Sequence, residues 1–305
     1  MLAVISYPPI PIWELGPFRF SLHGVFAALG FLAGAMVATR LLRQRGYDTE
    51  KYQSILTWGL IGAMLGARYL TAPSAIAGGV PILEALNPVQ GNFSIMGGFV
   101  GGILAGWIRT RMFGLSFLPF GDWSTFGLAI GTIVGRIGDL AIVEHLGSES
   151  DSLLAFGLKK GYQPAPQHTI LQAACEASAT PVGEVCASYH FSALYDMLGA
   201  VLLLGVLFLL VRFWRARHYG QLLGFWVAWY GAQRFLIDFT RLVPEDELGA
   251  GAADRTLGAL TWGQWSALAG VLIGIALMAF FGRTKPVVGD RADEAYQQPE
   301  GAAAG

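Results

Sequence analysis

Four arginines stand inside or at the ends of strongly apolar stretches, where charge is costly. Arg68 lies in Gly66-Ala67-Arg68-Tyr69, Arg136 in Gly135-Arg136-Ile137-Gly138-Asp139, and Arg234 and Arg241 bracket Phe235-Leu236-Ile237-Asp238-Phe239-Thr240. Three acids, Asp139, Glu144 and Asp238, accompany them. A charge at membrane depth costs about 2.5–3.5 kcal/mol on insertion scales, so such groups pair, line a cavity, or do both. Guanidinium presents donors in a fork that matches phosphate oxygens. Four forks gathered at one depth would make a cationic pocket for an anionic phospholipid headgroup. The plainer alternative is snorkelling or internal pairing, and Arg234 and Asp238, four apart on one helix face, could be a structural ion pair.

Two cysteines, Cys175 and Cys186, share one polar stretch and lack both zinc-like spacing and a CxxC. No metal site and no cofactor site is read from the sequence. In an oxidising exterior the two thiols are expected to form a disulfide, the alternative being two free thiols.

The elements that position these residues follow from composition. Of 305 residues, 54% are hydrophobic and 13% charged, with mean hydropathy +0.50. Soluble domains carry about 25% charge, so much of this surface faces lipid. A net charge of −1 argues against a nucleic-acid binder driven by bulk basicity. The fold class expected is all-α, a polytopic integral membrane protein with seven transmembrane helices near 22–42, 54–72, 95–112, 117–136, 192–213, 221–240 and 262–281. Pro8, Pro9 and Pro11 stand where a signal peptide would need an apolar core, so the first span is expected to be permanent.

Basic residues follow spans one (Arg40, Arg43, Arg45, Lys51), three (Arg109, Arg111), five (Arg212, Arg215, Arg217) and seven (Arg283, Lys285). They mark the cytoplasmic side, with the N-terminus outside and the C-terminus inside. The membrane domain thus covers 1–282, with an external loop at about 148–190, and 283–305 reads as a disordered cytoplasmic tail. Gly62 with Gly66, Gly97 with Gly101, and Gly98 with Gly102 and Gly106 give GxxxG registers for close helix packing.

The run Gly135-Arg136-Ile137-Gly138-Asp139-Leu140-Ala141-Ile142-Val143-Glu144-His145-Leu146-Gly147 resembles the signature GRIGNFINGExxG of the prolipoprotein diacylglyceryl transferase family, matching at Gly135, Arg136, Ile137, Gly138, Glu144 and Gly147. Arg234 to Arg241 resembles its RFxxEFxR, Gly66-Ala67-Arg68 its GAR, and Gly91 to Gly98 its GGxSxHGG. His190-Phe191-Ser192-Ala193-Leu194-Tyr195-Asp196 resembles its HPxQLYE, and Gly263-Gln264-Trp265-Ser266 its GQxxS. The motifs keep their order from about residue 20 to 282.

The resemblance implies transfer of the diacylglyceryl group of phosphatidylglycerol to the lipobox cysteine thiol of a prolipoprotein signal peptide, in the bacterial cytoplasmic membrane. It implies no metal and no soluble cofactor. Carried over, Arg136 and Arg234 would hold the phosphate, Glu144 and Asp238 would orient them, Asp139 and Gly147 would shape the donor site, and Arg68 and Arg241 would add phospholipid contacts. The family's Asn is Asp139 here, its Glu is Asp238, its first-span Tyr is His23, and the His of SxHGG is Met96. Methionine takes no proton, so His23 and His145 are the candidate bases. Two alternatives stand beside this reading: a divergent paralogue with altered or no activity, and a transporter, which the one-sided placing of the charges disfavours.

Overall fold

The computed structural model of the chain describes residues 5–11, 13–15, 18–77, 79–87, 95–163, 168–241, 256–257 and 260–288. Along it run β1 (Trp13–Leu15), β2 (Phe18–Phe20), α1 (Leu22–Gln44), α2 (Thr49–Tyr69), α3 (Ala72–Ala77), α4 (Ile82–Ala85), α5 (Ile95–Met112), α6 (Phe117–Ala141), β3 (Leu146–Glu149), β4 (Ala155–Lys159), α7 (Thr169–Ala177), β5 (Val185–Phe191), α8 (Ser192–Phe213), α9 (Gln221–Asp238), β6 (Thr256–Leu257), β7 (Leu260–Thr261) and α10 (Trp262–Thr284). The protein is mostly helical, and each of the seven apolar segments is a helix. Among the described residues, Leu22–Gln44, Phe117–Ala141, Ser192–Phe213 and Gly263–Thr284 have the length and hydropathy to cross a membrane. Most of the tail segment, 289–305, lies outside the described residues.

These helices leave large apolar side chains uncovered. Leu32 and Met36 on α1, Leu202 and Leu209 on α8, and Leu272 and Ile275 on α10 are all more than half exposed or close to it. In water such faces would be a liability; against lipid tails they cost nothing. Without a hydrophobic drive between helices, association rests on close packing, which small residues permit.

The chain divides into two compact units, 1–37 with 124–285 and 38–123 with 286–305. In the second, α2 packs on α5 through the glycine faces the sequence marks. A Cβ on Gly62 would overlap the Gly101 carbonyl, and one on Gly66 would overlap that of Gly97. Asp48 caps α2, its Oδ1 accepting from the backbone amides of Glu50 and Lys51 at 3.0 Å each, which satisfies two of the donors a helix start leaves open. Tyr52 stacks on Phe120 at 5.9 Å, and the Arg45 guanidinium lies 3.5 Å from the Trp123 ring centre.

In the first unit, α1 meets α6 at Gly34 and Gly127, and α9 meets α10 at Gly231 and Ala267, again with no room for a Cβ. Thr261 caps α10, its hydroxyl accepting from the Gln264 amide at 3.0 Å while Gln264 Oε1 accepts from the Thr261 amide at 2.9 Å.

The long polar segment between α6 and α8 adds a sheet to the helical expectation. Its strands are antiparallel in the order β3-β5-β4, with Leu146 opposite Phe191 and Phe156 opposite Tyr189. Val143, Leu146, Phe156, Leu158, Tyr189 and Phe191 form its core. Helix α7 is tied to this sheet by the Cys175–Cys186 disulfide, whose Cα atoms lie 5.5 Å apart, and by Gln172 Nε2 donating to the Lys159 carbonyl at 3.0 Å.

Candidate active site

The polar centre of the first unit forms where α6 and α9 end and α8 begins, beside this small sheet. Arg136, in the last turns of α6, donates through Nη1 to Asp139 Oδ2 and through Nη2 to Asp196 Oδ2 at 2.6 Å. Two carboxylates on one guanidinium fix its plane while a quarter of the side chain stays open. Asp139 also faces a histidine: its Oδ1 meets Nδ1 of His23, from the first turn of α1. Glu144 Oε2 lies 3.2 Å from the same nitrogen. The two acid side chains are 3% and 11% exposed, against 51% for His23, so an open imidazole rests on buried carboxylates.

A chain reversal brings Glu144 there. After α6 ends at Ala141, Val143 and His145 adopt left-handed backbone (φ 55 and 63). For a β-branched residue that region is strained, and strain of this kind is kept only where the surroundings impose it. Here Glu144 N donates to the Asp139 carbonyl at 2.9 Å, and Ser192 N donates to the His145 carbonyl at 3.2 Å. The N-terminal segment crosses the same turn, with Ile10 N donating to the Ala141 carbonyl at 2.9 Å. Gly147 then passes so close to the end of α9 that a Cβ would overlap the Thr240 carbonyl oxygen. Ser148 N donates to that oxygen at 2.8 Å, and Gly147 bridges Arg241.

Arg234 and Arg241 share one carboxylate. Asp238 Oδ1 lies 3.3 Å from Arg234 Nη2 and 3.4 Å from Arg241 Nη1. Its other oxygen accepts from the Thr261 hydroxyl at 2.5 Å, so the cap of α10 also fixes the acid that steers two arginines. The His145 side chain is exposed, yet partial loss of solvation around the ring pushes its imidazole below the usual range; Glu144 and Asp139 oppose this shift, and Arg136 and Arg241 add to it.

The arrangement joins Arg136, Asp139, Asp196, Glu144 and His23 in one network, with His145 next to Glu144 in the chain, and Arg234, Asp238, Arg241 and Gly147 in an adjoining one. Arg68 belongs to the other unit, buried, with Nε donating to the Asn87 carbonyl at 2.7 Å and Nη2 to that of Glu84 at 3.3 Å. Gly91 to Ser94 and the side chain of Met96 lie outside the described residues. Asp196 and Gln233 were not singled out as site residues by the sequence. Gln233 Nε2 donates to Asp196 Oδ1 at 3.2 Å and to the Asp196 carbonyl at 3.0 Å. The signal was present in Asp196, an acid near the start of an apolar helix, a position that asks for a cationic partner. His23 Nδ1 and one oxygen each of Asp139 and Glu144 fall within 4.8 Å of one another, the donor set of a cation site, although Arg136 already supplies positive charge to Asp139.

Comparison with known proteins places the chain among its relatives. The model of the prolipoprotein diacylglyceryl transferase family matches residues 11–280. A phosphatidylglycerol--prolipoprotein diacylglyceryl transferase of Neisseria meningitidis serogroup A is 28% identical over 93% of this chain and 99% of its own length. One of Mycobacteroides abscessus is 26% identical over 81% of this chain and 72% of its own. One of Deinococcus radiodurans is 31% identical over 44% of this chain and 41% of its own. With a family match over residues 11–280, which includes the arginine-carboxylate network, the chain belongs to the prolipoprotein diacylglyceryl transferase family.

Proposed function

We propose that this chain transfers the diacylglyceryl group of phosphatidylglycerol to the lipobox cysteine of prolipoproteins. The thiolate sulfur attacks the diacylglycerol carbon bearing the phosphate ester. A carbon–sulfur bond forms, the carbon–oxygen bond breaks, and glycerol phosphate leaves with the electron pair. The observation that carries the reading is the pair of part-open arginines, Arg136 and Arg234, each aimed by a carboxylate that is 3% exposed. Held this way, a fork meets developing phosphate charge with little reorganisation.

In this reading Arg136 and Arg234 clamp the phosphate, and Asp139, Glu144 and Asp238 orient the cations. Gly147 lets the strand pass beside α9, and Arg241 extends the positive surface. Arg68 lies buried in the other unit with two of its nitrogens given to carbonyls, and it is left out of the clamp. The thiol proton goes to His23 rather than His145. His23 Nδ1 is engaged by Asp139 and Glu144, leaving Nε2 as the atom to exchange a proton with substrate, by the logic of a carboxylate-oriented imidazole. No resident metal or cofactor enters the scheme.

The enzyme would sit in the bacterial cytoplasmic membrane with seven spans, its N-terminus and the sheet-bearing segment outside and its C-terminus inside. Support comes from the helicity of all seven apolar segments and from the alternation of basic residues along the sequence. The test is complementation of a strain depleted of its own transferase, scored by lipoprotein lipidation, beside Arg136→Ala. Rescue by the wild-type chain and not by the variant is expected; rescue by both would remove the clamp.

A further inference from the structure

We propose that His168 is a positioning residue for this transfer: from the extramembrane sheet module it holds the signature turn by accepting a hydrogen bond from the Leu146 amide. The proposal rests on the transferase reading for its activity and on the geometry alone for the hold.

Leu146 N and His168 Nε2 lie 3.1 Å apart across 22 residues, and both residues are 4% exposed. A backbone N–H can only donate, so Nε2 must be bare and the ring proton must sit on Nδ1. Protonating Nε2 would destroy the contact. Burial pushes the His168 imidazole down to about 4, with His145 adding to the shift and Glu144 opposing it, so the ring is the neutral acceptor the contact requires at neutral pH. A strand amide ordinarily meets a carbonyl; here a side chain from a distant helix start does that work.

The turn so held is the strained one. Left-handed Val143 and His145 flank Glu144, and Gly147 follows directly after Leu146. Strained backbone persists where neighbours over-determine it, and His168 is one such neighbour. It has a firm footing: Gln172 N donates to the His168 carbonyl at 3.0 Å, and α7 is bound to the sheet by the Gln172–Lys159 contact and the disulfide. The path runs from His168 through Leu146 to Glu144 and Gly147 on either side, and so to His23 and the end of α9. His168 touches no substrate; it sets the geometry of residues that do.

The test compares His168→Phe, which fills similar space but accepts nothing, with His168→Gln, whose carbonyl oxygen can accept. The purified full chain, in micelles containing phosphatidylglycerol and a lipobox peptide, gives kcat and KM, and amide hydrogen exchange is read over residues 140–150. His168→Phe is expected to lower kcat about ten- to a hundredfold, the range an unmet buried donor commands, with a smaller change in KM and faster exchange at Leu146. His168→Gln is expected to restore most of kcat and the slow exchange. Wild-type kcat in His168→Phe, equal losses in both variants, or unchanged exchange in His168→Phe would each overturn the proposal. A wild-type chain that transfers nothing from phosphatidylglycerol would sink the transferase reading instead, and the exchange comparison would still decide the hold.

Discussion

At the residue scale, the site is built on arginines whose direction is set by acids. Arg136→Ala and Arg234→Ala should each abolish detectable transfer at equal membrane levels. One lost donor to developing oxyanion charge costs about 3–4 kcal/mol, or 10²–10³-fold. Lysine should rescue poorly, because an ammonium cannot make the fork; turnover by Arg136→Lys near that of the wild type would argue against paired contacts. Met96→His should change activity less than about tenfold, since a few per cent of an ordinary thiol is already thiolate and His23 supplies the imidazole. His23→Ala should cost roughly 10²-fold, the low end of general-base terms, and should flatten the pH–rate profile; an unchanged profile would move the base elsewhere. The arginines and their i, i+4 acid were legible because charge in an apolar segment is conspicuous. That Asp139 meets both Arg136 and His23 was not, because His23 and Asp139 are 116 residues apart and only the fold makes them neighbours. His168 was hidden for the same reason: alone in a polar stretch, it looks like any surface histidine until burial and an amide are found upon it.

At the element scale, glycine decides how closely helices meet. Gly62→Val on α2 would drive two methyl groups into the Gly101 carbonyl and the Ala105 side chain. Overpacking costs about 1–3 kcal/mol even where side chains can yield, and backbone yields less. Lower yield and a lower melting temperature in detergent are expected. Gly205→Ala on α8, whose added Cβ meets nothing within 4 Å, should be neutral. Equal behaviour of the two variants would mean that the glycine face does not pack. The GxxxG spacing announced the α2–α5 contact in the sequence. The sheet was not announced, because β3 and β4 are only four and five residues long and their periodicity is too brief to tell from loop. This module should carry a pH signature. The folded value of about 4 for His168 lies below the usual 6.5, so below pH 6.5 the unfolded chain binds a proton that the folded chain refuses. Stability should be full above pH 6.5 and fall toward pH 4, by at most about 1.4 kcal/mol per pH unit from this group. His145 and His190, also lowered by loss of solvation, push the same way, so the diagnostic is a shallower melting-temperature slope in His168→Gln than in wild type.

At the scale of the whole molecule, long apolar helices are joined to a small sheet that packs against the turn after α6. The disulfide belongs to this packing. It closes an 11-residue separation, which chain-entropy arguments value at about 3 kcal/mol. The Cys175→Ser, Cys186→Ser protein should melt earlier yet retain transfer, because Gln172 and the sheet core still hold α7. Loss of turnover in a folded double variant would make the bridge part of the chemistry. Transfer itself is read by giving the purified chain phosphatidylglycerol and a synthetic lipobox peptide and weighing the products by mass spectrometry. A peptide heavier by one diacylglyceryl group in thioether linkage and an equal amount of glycerol phosphate are expected, both lost in Arg136→Ala. A well-folded wild-type chain that leaves the peptide unmodified at saturating lipid, or an Arg136→Ala variant that modifies it as fast, would contradict this expectation.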